Sequence, residues 1–317
     1  MTFNQLRTFV AVVDAGSVSD AAIDLLVSPP AVSAALATLQ AELGVALVAR
    51  AGRGLEITPA GRVFDSYARR VLQMVDEGVA ATRDALDPET GRVRLAAVTT
   101  AGEHVLPRFL ASFRARHPHA EVSLEVGNRE RLWQMLGERE VDLAIGGRPP
   151  RGGRFVTRAT RTNVLVLVAA AAPHPDKDGP HADEDVPRVR EVEVEELARQ
   201  VLLLREPGSG TRSTALELYE ELGITPAAAL TLGSNGALRE SVQVGLGITL
   251  ISRDAVAREL DEGTLEEWRC PTLPRHRAWH LVSRAGEDLS ATAGLFLSHV
   301  TADPEEGFVM VRHPAAG

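Results

Sequence analysis

Residues 27–44, VSPPAVSAALATLQAELG, predict a short break in the chain followed by a helix of about four turns. Val27-Ser28-Pro29 forms the break, because Pro29 disfavours a helical backbone at Ser28. Pro30 suits the first turn of the new helix, where the N–H that proline lacks would have no partner. The helix ends at Gly44. Its apolar positions recur at helical spacing and form a stripe of Val32, Leu36, Leu39 and Leu43.

Two helices are expected before this break. The first ends at Gly16, and the second has Ser17 or Ser19 as its cap and Asp20 in its first turn. Their apolar residues are Leu6, Phe9, Val10, Val13, Ala21, Ala22, Leu25 and Leu26. A helix, a short turn and a second helix with a buried stripe form the layout of a helix-turn-helix. A packed helical domain without DNA fits the same pattern, so these residues alone leave both interpretations open.

The second helix of this pair exposes small side chains that suit the major groove of DNA. Alanine methyls can contact the methyl group of thymine, and a serine hydroxyl can bind a phosphate or a base edge. Residues 47–59 then place two apolar runs around a glycine-arginine turn, which predicts a β-hairpin wing whose arginines contact phosphates or enter the minor groove. The candidate DNA-binding residues are Ser28, Pro29, Pro30, Ser33, Ala34, Ala37, Thr38, Arg50 and Arg53.

These sixty residues resemble the LysR-type transcriptional regulators. The matching residues are Phe9-Val10-Ala11-Val12, Gly16-Ser17, Ala21-Ala22, Ser28, Pro30-Ala31-Val32-Ser33, Leu43-Gly44-Val45, Leu47, Arg50 and residues 55–61. The resemblance implies binding to double-stranded promoter DNA as a homodimer or homotetramer, with RNA polymerase as a further candidate partner. The chain departs from the family at Pro29, where glutamine is usual, at Ala34, often basic, and at Val48, usually phenylalanine.

The charge of this region is unusual for a DNA-binding domain. Residues 1–60 contain three arginines, no lysine and five acidic residues, a formal charge of −2. Few cations are therefore available to release counterions from DNA. We expect a shallow salt dependence of DNA binding, with backbone N–H groups and hydroxyls making many of the phosphate contacts.

The composition limits the classes of protein that the chain can belong to. Its 317 residues favour two domains, and 44% hydrophobic residues suffice for packed cores. The formal net charge of −9 disfavours coating of nucleic acid by bulk charge. The single cysteine, Cys270, excludes an intramolecular disulfide framework and a multi-cysteine metal site. No signal peptide and no membrane span are recognisable, so a cytoplasmic location is expected.

The residues after the wing predict one long helix that links two domains. From Pro59 to about Ala85 an apolar face recurs, formed by Val63, Tyr67, Val71, Met74, Val75 and Val79. This face could pack on its own wing domain or, as the resemblance implies, on a second chain. Asp87-Pro88-Glu89-Thr90-Gly91 then breaks the helix. We expect a winged helix-turn-helix over residues 1–59 and a linker helix over 60–87.

Residues 92–302 alternate short apolar runs with helical segments, which predicts an α/β domain with mostly parallel sheets. We expect two lobes, as in periplasmic binding proteins, with the chain crossing near Ala169 and returning near Trp279 to Ser283. Lobe I then spans about residues 92–165 and 278–302, and lobe II about 166–277. The tail, residues 303–317, is expected to be loosely ordered.

Three turns in this domain follow strands, where α/β sheets bind ligands at helix N-termini. They are residues 99–102, 146–148 and 205–212, the last reading REPGSGTR. The candidate effector-binding residues are Thr99, Thr100, Gly146, Arg148, Arg205, Ser209, Gly210, Thr211 and Asn235. The hydroxyls could instead be ordinary helix caps and Gly-Ser-Gly a tight turn, but three convergent turns favour binding of a small anion.

The LysR resemblance extends to this half of the chain. It rests on Leu106-Pro107, His117-Pro118, Asp142-Leu143-Ala144-Ile145, Gly233-Ser234-Asn235 and Gly245-Leu246-Gly247-Ile248. Residues 146–150 and 205–212 look closest to regulators of carbon-dioxide-fixation operons and their relatives in sulfur metabolism. This likeness implies a phosphorylated sugar or acid, a dinucleotide or an inorganic anion as effector. Residues 173–194 depart from the family as a charged insertion, for which a mobile segment is favoured over a metal site.

Two other classes of protein compete with a regulator. No catalytic motif for nucleophilic, zinc or nucleotide chemistry is recognisable, so neither an enzyme nor a bound cofactor or metal is expected. A solute-binding protein would share the two-lobed domain, but it needs export, and residues 1–60 would serve no purpose outside the cell. A regulator is the remaining interpretation: a ligand in the cleft would favour one of two arrangements of the oligomer on DNA.

Overall fold

A computed structural model describes residues 1–51, 54–84, 87, 89–171, 189–303 and 307–311. The chain divides into two units, Met1–Leu86 and Asp87–Gly317. In the first unit, α1 (Phe3–Ala15), α2 (Val18–Asp24) and α3 (Pro29–Leu43) precede an antiparallel hairpin of β1 (Val48–Ala51) and β2 (Gly54–Ile57). The long helix α4 (Pro59–Asp84) follows.

The caps of the first three helices follow from the sequence, with one correction. Ser17 accepts a hydrogen bond from the backbone N–H of Asp20 and caps α2. Gly16 and Gly44 end α1 and α3 in the left-handed region, with φ of 65° and 69°. Pro30 lies in the first turn of α3, as expected, but Pro29 does not belong to the break: it is already the first helical residue, because proline is tolerated in the first turn.

The core of the first unit joins all its elements. Phe9, Leu39 and Leu47 are fully buried, and the side chain of Gln40 connects α3 to the wing. Its Oε1 accepts hydrogen bonds from the backbone N–H of Leu47, at 2.7 Å, and of Val48, at 3.3 Å. The turn of the wing, including Arg53, lies outside the described residues.

Helix α4 has two different faces. One packs on α1 through Phe64, whose ring centroid lies 5.4 Å from that of Phe9, and through the buried Ala68. The other face is apolar but exposed within this chain, and its members are Val63, Tyr67, Val71, Met74 and Val79. Packing on its own domain therefore accounts for only part of the apolar surface of this helix.

Lobe I of the second unit contains parallel strands β3 (Arg92–Val98), β4 (Glu121–Gly127) and β5 (Leu143–Gly146). A π-helix (Ala101–Val105), α5 (Leu106–Arg116), α6 (Arg129–Gly137) and α11 (Ala291–Val300) accompany them. The core of this lobe contains the fully buried Phe113, Phe296 and Phe308.

Lobe II contains parallel strands β8 (Val201–Arg205) and β9 (Ala228–Leu232) and the antiparallel β10 (Thr249–Ser252) and β11 (Leu265–Arg269) beside β6 (Phe155–Ala170). A short strand, β7 (Val189–Glu191), pairs with β11. The helices are α7 (Val194–Ala198), α8 (Gly210–Glu221), α9 (Asn235–Gln243), a 3-10 turn (Arg253–Ala255) and α10 (Ala257–Asp261).

Two long antiparallel strands, β6 and β12 (Arg275–Arg284), join the lobes, and they correct the expected position of the first crossing. Ala159 packs in the core of lobe I, whereas Leu165 already packs in that of lobe II. The first crossing therefore lies before Val164 rather than near Ala169, which pairs with Glu266 inside lobe II. The return precedes Trp279, which is already part of the lobe I core.

The prediction of mostly parallel sheets holds only for β3–β5 and β8–β9. The crossing strands β6 and β12 pair antiparallel with each other.

Two segments expected to be loosely ordered contain strands. Val189–Glu191, at the end of the expected insertion, pairs with β11, and β13 (Val309–Met310) pairs with β6. Phe308 is fully buried beside β13, which explains why the chain after Ala302 returns to lobe I. Residues 172–188, with the histidines and acids considered for a metal site, lie outside the described residues.

Neither a membrane span in one helix nor a metal-ligand cluster is found in the part of the chain that the structure describes. The α2–α3 pair meets the length and composition of a span only when its two helices are taken together, and it is bent by 108°. No group of three or more histidine, cysteine, aspartate or glutamate side chains is arranged to hold a metal ion.

Candidate functional site

The first candidate surface is the exposed face of α3. Seven exposed positions predicted to contact DNA lie on this helix or at its cap, and five of them are Ser28, Ser33, Ala34, Ala37 and Thr38. Ser28 is the cap residue, and within the described chain its hydroxyl makes no capping hydrogen bond. Thr38 donates to the carbonyl of Ala34 at 2.8 Å, so its hydroxyl retains acceptor capacity. Pro29 and Pro30 are also exposed, in the first turn.

The α3 face offers hydroxyls and methyl groups rather than charge. The helix contains no lysine or arginine, and its acid, Glu42, pairs with the ammonium group of Met1. The polar side chain best suited to reading a base, Gln40, is held by the wing. Arg50 lies exposed on β1 of the wing. The face can therefore contact thymine methyls and phosphates, with little electrostatic attraction of its own.

The second candidate site is a cavity of about 690 Å³ in the second unit, between the two lobes. The end of β3, the turn after β4 and the turn after β5 form its lobe I side. Residues 205–217 form its lobe II side, and the crossing strands β6 and β12 contribute Asn163, Leu165 and residues 276–280. A cavity of this size accommodates a small metabolite.

Helix N-termini face this cavity from both lobes. Ser209 precedes α8 and lines the cavity together with Gly210 and Thr211. Within the described chain, the Ser209 hydroxyl makes no capping hydrogen bond to its helix, so it is available to a ligand together with the first-turn N–H groups. Asn128 also lines the cavity, but its side chain caps α6 by accepting from the N–H of Arg131.

Four arginines and two glutamates line the cavity. Arg205 pairs with Glu206, and Arg277 pairs with Glu217 at 2.5 Å. Arg129 donates to the backbone carbonyl of Arg148 at 2.8 Å. Within the described residues, neither Arg129 nor Arg148 has a carboxylate partner. The cavity thus carries an excess of positive charge that suits an anion.

Two titratable side chains in the cavity have shifted pKa values. Burial alone would raise the pKa of Glu206, but its hydrogen bonds, chiefly those from Arg205, hold it below the usual value. His280 lies on β12, where burial and then the charge of Arg148 lower its pKa below 6.5. Glu206 therefore remains a carboxylate at neutral pH, and His280 is predominantly neutral.

The structure brings most of the predicted effector residues together. Thr99, Thr100, Arg148, Arg205, Ser209, Gly210 and Thr211 all line the cavity. Gly146 does not; a Cβ there would lie 2.6 Å from Leu132, so this glycine permits close packing instead. Asn235 is buried beside the cavity and bonds to Thr100 and Arg205. Arg205 lines the cavity as an arginine that is already paired with Glu206.

Several cavity residues were missed by the sequence reasoning. They are Asn128, Arg129, Asn163, Glu217, Arg277 and His280. Asn128 and Arg129 follow β4 directly, so the strand-end rule that identified the other turns could also have found them. The residues on β6 and β12 carry no such signal, because they face the cavity only through pairing of strands distant in sequence.

A winged helix-turn-helix together with a two-lobed domain that encloses a cationic cavity defines a ligand-responsive DNA-binding regulator. The family model for the LysR substrate binding domain matches residues 86–304, and that for bacterial regulatory helix-turn-helix proteins of the lysR family matches residues 3–62. The chain belongs to the LysR family of bacterial transcription regulators.

Individual relatives agree with this family. A RuBisCO operon transcriptional regulator of Allochromatium vinosum is 33% identical over 303 residues, 96% of this chain and 96% of that protein. The regulatory domain of CcmR from Synechocystis PCC6803, solved in complex with 2-PG, is 30% identical with a TM-score of 0.56 and covers 67% of this chain and 96% of its own. CbnR, a LysR family regulator, shares the fold at 21% identity and a TM-score of 0.66, covering 95% of this chain and 99% of its own.

Proposed function

We propose that the cavity binds a small phosphorylated organic acid, and that this ligand controls how the protein binds the promoter of a carbon-fixation operon. The observation that carries the proposal is the Ser209–Thr211 turn, which presents an unused hydroxyl and helix N–H groups to a cavity that Arg129 and Arg148 also line. A phosphate suits a helix N-terminus, and a second acidic group suits the guanidinium groups.

Two relatives support this choice of ligand and target. The regulatory domain of CcmR was solved with 2-PG, and it is 30% identical to this chain. The regulator of Allochromatium vinosum is named for the RuBisCO operon. For this chain both the ligand class and the operon are inferences from similarity, and the charge of the cavity is the independent argument for an anion.

The exposed apolar face of α4 supports assembly of the DNA-binding form. Val63, Tyr67, Val71, Met74 and Val79 form a face longer than the contact with α1 can cover. A second copy of α4 would bury it and bring two α3 helices to one DNA site, so a homodimer or homotetramer follows. RNA polymerase at the regulated promoter remains a proposed partner.

The ligand is proposed to be bound without conversion, in the cytoplasm where the DNA lies. The partners of the acid-base groups in the cavity support this. His280 is hydrogen-bonded to Thr157 at 3.3 Å, and Thr157 does not line the cavity, whereas Glu206 and Glu217 are held by arginines. Incubation of the protein with the bound acid, followed by mass analysis, is expected to return the acid unchanged.

The test is isothermal titration of the full-length protein with phosphoglycolate, 3-phosphoglycerate, inorganic phosphate and sulfate. The proposal predicts saturable binding that Ser209→Ala weakens about tenfold, because it removes one hydrogen bond to a charged group. Ser298→Ala, at an exposed serine of α11 outside the cavity, is the matched control. Absence of binding by every anion, with DNA binding intact, would refute the proposed ligand class.

A further inference from the structure

Three nearly buried side chains form a chain of hydrogen bonds between the two lobes, beside the cavity. The guanidinium of Arg205 donates to Asn235 Oδ1, and Asn235 Nδ2 donates to Thr100 Oγ1 at 3.0 Å. Thr100 follows β3 in lobe I, whereas Arg205 and Asn235 belong to lobe II. Their exposed fractions are 5%, 4% and 2%.

The direction of every hydrogen bond in this chain is fixed by chemistry. A guanidinium can only donate, so the amide oxygen of Asn235 must face Arg205. The amide nitrogen of Asn235 then faces Thr100, whose hydroxyl oxygen accepts from it. The hydroxyl proton of Thr100 has no acceptor among the described residues, and Thr100 lines the cavity. That proton can therefore be donated to a ligand in the cavity.

Arg205 does not itself need the ligand to satisfy its charge. Its Nε donates to Glu206 at 2.7 Å and a terminal nitrogen donates at 2.9 Å, so the two side chains form a bidentate pair. This pair holds the guanidinium in place, which in turn orients the amide of Asn235. Arg205 and Asn235 are thus positioning residues, and Thr100 is the group that contacts the ligand.

We infer that Arg205, Asn235 and Thr100 form a relay whose polarity makes Thr100 an obligatory hydrogen-bond donor to the effector. The inference rests on the proposed function, since it assumes that an anion occupies the cavity. It adds a specificity rule: the ligand must place an acceptor oxygen at Thr100. A ligand with an ammonium group there, or with a hydroxyl that can only donate there, is rejected. The relay also joins the ligand-binding residues of both lobes.

A double-mutant cycle on phosphoglycolate affinity tests the polarity. In the natural background, Thr100→Val is expected to lower affinity about tenfold, because it removes a donor to a charged group. Asn235→Asp has the same shape but only accepts, so it turns the Thr100 proton away from the cavity. In that background, Thr100→Val is expected to change affinity little. Equal losses in the two backgrounds would mean that the added charge acts alone, and would overturn the relay.

Two further variants separate the relay from a general loss of structure. Thr100→Ser keeps the hydroxyl and is expected to retain affinity close to that of the natural protein. Thr249→Val removes a different buried hydroxyl, in lobe II, which donates to the carbonyl of Leu203 at 2.7 Å and does not line the cavity. It is expected to lower the melting temperature without changing phosphoglycolate affinity. Loss of phosphoglycolate affinity in both Thr100→Ser and Thr249→Val would contradict the assignment of the Thr100 hydroxyl as the donor to the ligand.

A cycle without ligand tests the relay even if no anion binds, so that the two failures are distinguishable. Thr100→Val, Asn235→Ala and the double variant are compared by thermal unfolding. Either single substitution breaks the same hydrogen bond, so the double variant is expected to be about as stable as the less stable single variant. Strictly additive losses would overturn the relay. Absence of anion binding with coupled losses would overturn the proposed function alone.

Discussion

Two surfaces of this molecule suit anions, and they use different chemistry. The exposed face of α3, predicted to contact DNA, carries hydroxyls and methyl groups and no lysine or arginine. The cavity between the lobes is lined by four arginines against two glutamates. A small anion must be taken fully out of water, which requires compensating charge, whereas DNA can be bound through many weak contacts of backbone and hydroxyl groups. The difference teaches that the positive charge of a regulator need not lie on its recognition helix.

The largest expected effect follows from the weakness of a single α3 face. Tight binding therefore requires two α3 helices, one from each chain of a dimer. Val71→Asp, on the exposed side of α4, is expected to separate the dimer and to lower DNA affinity more than about 100-fold. Sedimentation and fluorescence anisotropy measure the two quantities. Ser66→Asp adds the same charge at an exposed serine of the same helix. If the Val71→Asp variant remained a dimer, α4 would not form the dimer interface.

The next largest effect is expected when the positive charge of the cavity is reversed at two arginines. Replacing both Arg129 and Arg148 by glutamate is expected to lower phosphoglycolate affinity by about 10- to 100-fold, because two guanidinium contacts to an anion become repulsive. Isothermal titration measures it. Arg114→Glu, on the exposed side of α5, makes the same change of charge outside the cavity. If the double variant binds as well as this control, the excess charge of the cavity does not serve the ligand.

A smaller effect is expected on the salt dependence of DNA binding. With few cations near α3, log affinity for DNA is expected to fall with log salt less steeply than a slope of about −6. Ala34→Arg is expected to steepen the slope by about one for each protomer in contact. Thr82→Arg, far along α4, controls for net charge. A slope of the natural protein as steep as that of strongly basic regulators would contradict an uncharged recognition face.

The smallest expected effect is on pH dependence. The pKa of His280 is lowered below 6.5 by burial and by Arg148, and an anion in the cavity favours its charged form. Sulfate affinity is therefore expected to rise a few-fold as pH falls below about 6.5, and His280→Asn to flatten this rise. Without anion, stability falls over the same range, because the folded protein disfavours the proton that the unfolded chain accepts.

His299 provides the matched control for that experiment. Burial, followed by Arg116 and His117, also lowers its pKa, but it lies on α11 outside the cavity. His299→Gln is expected to leave the rise in sulfate affinity unchanged. If the rise in sulfate affinity disappeared in His299→Gln, or persisted in His280→Asn, His280 would not be the group that couples anion binding to pH.

The sequence was most informative where local chemistry decides the structure. The stripe of α3, the glycines that end α1 and α3, and the hydroxyl turns after β3 and β8 depend on neighbouring residues. Their positions could be predicted from spacing and helix caps. The same rule, that ligands bind beyond strand ends, identified Ser209 and Thr100.

The rest depends on partners that are distant along the chain. Asn163 and His280 face the cavity because β6 and β12 pair over their length, which no local pattern records. Phe308 returns to the core of lobe I after a gap of polar residues, so its strand was missed. The ion pair between Arg205 and Glu206 could not be predicted either, because adjacent residues of opposite charge do not have to point toward each other.

The most direct test is the linkage between the two surfaces: DNA affinity of the full-length protein, measured by fluorescence anisotropy with and without saturating phosphoglycolate. The DNA is a fragment selected by the protein from a random pool. The account predicts that affinity changes by about 5- to 150-fold, and that phosphoglycolate affinity changes by the same factor when that DNA is bound. Equal DNA affinities, with phosphoglycolate bound in the cavity, would contradict it.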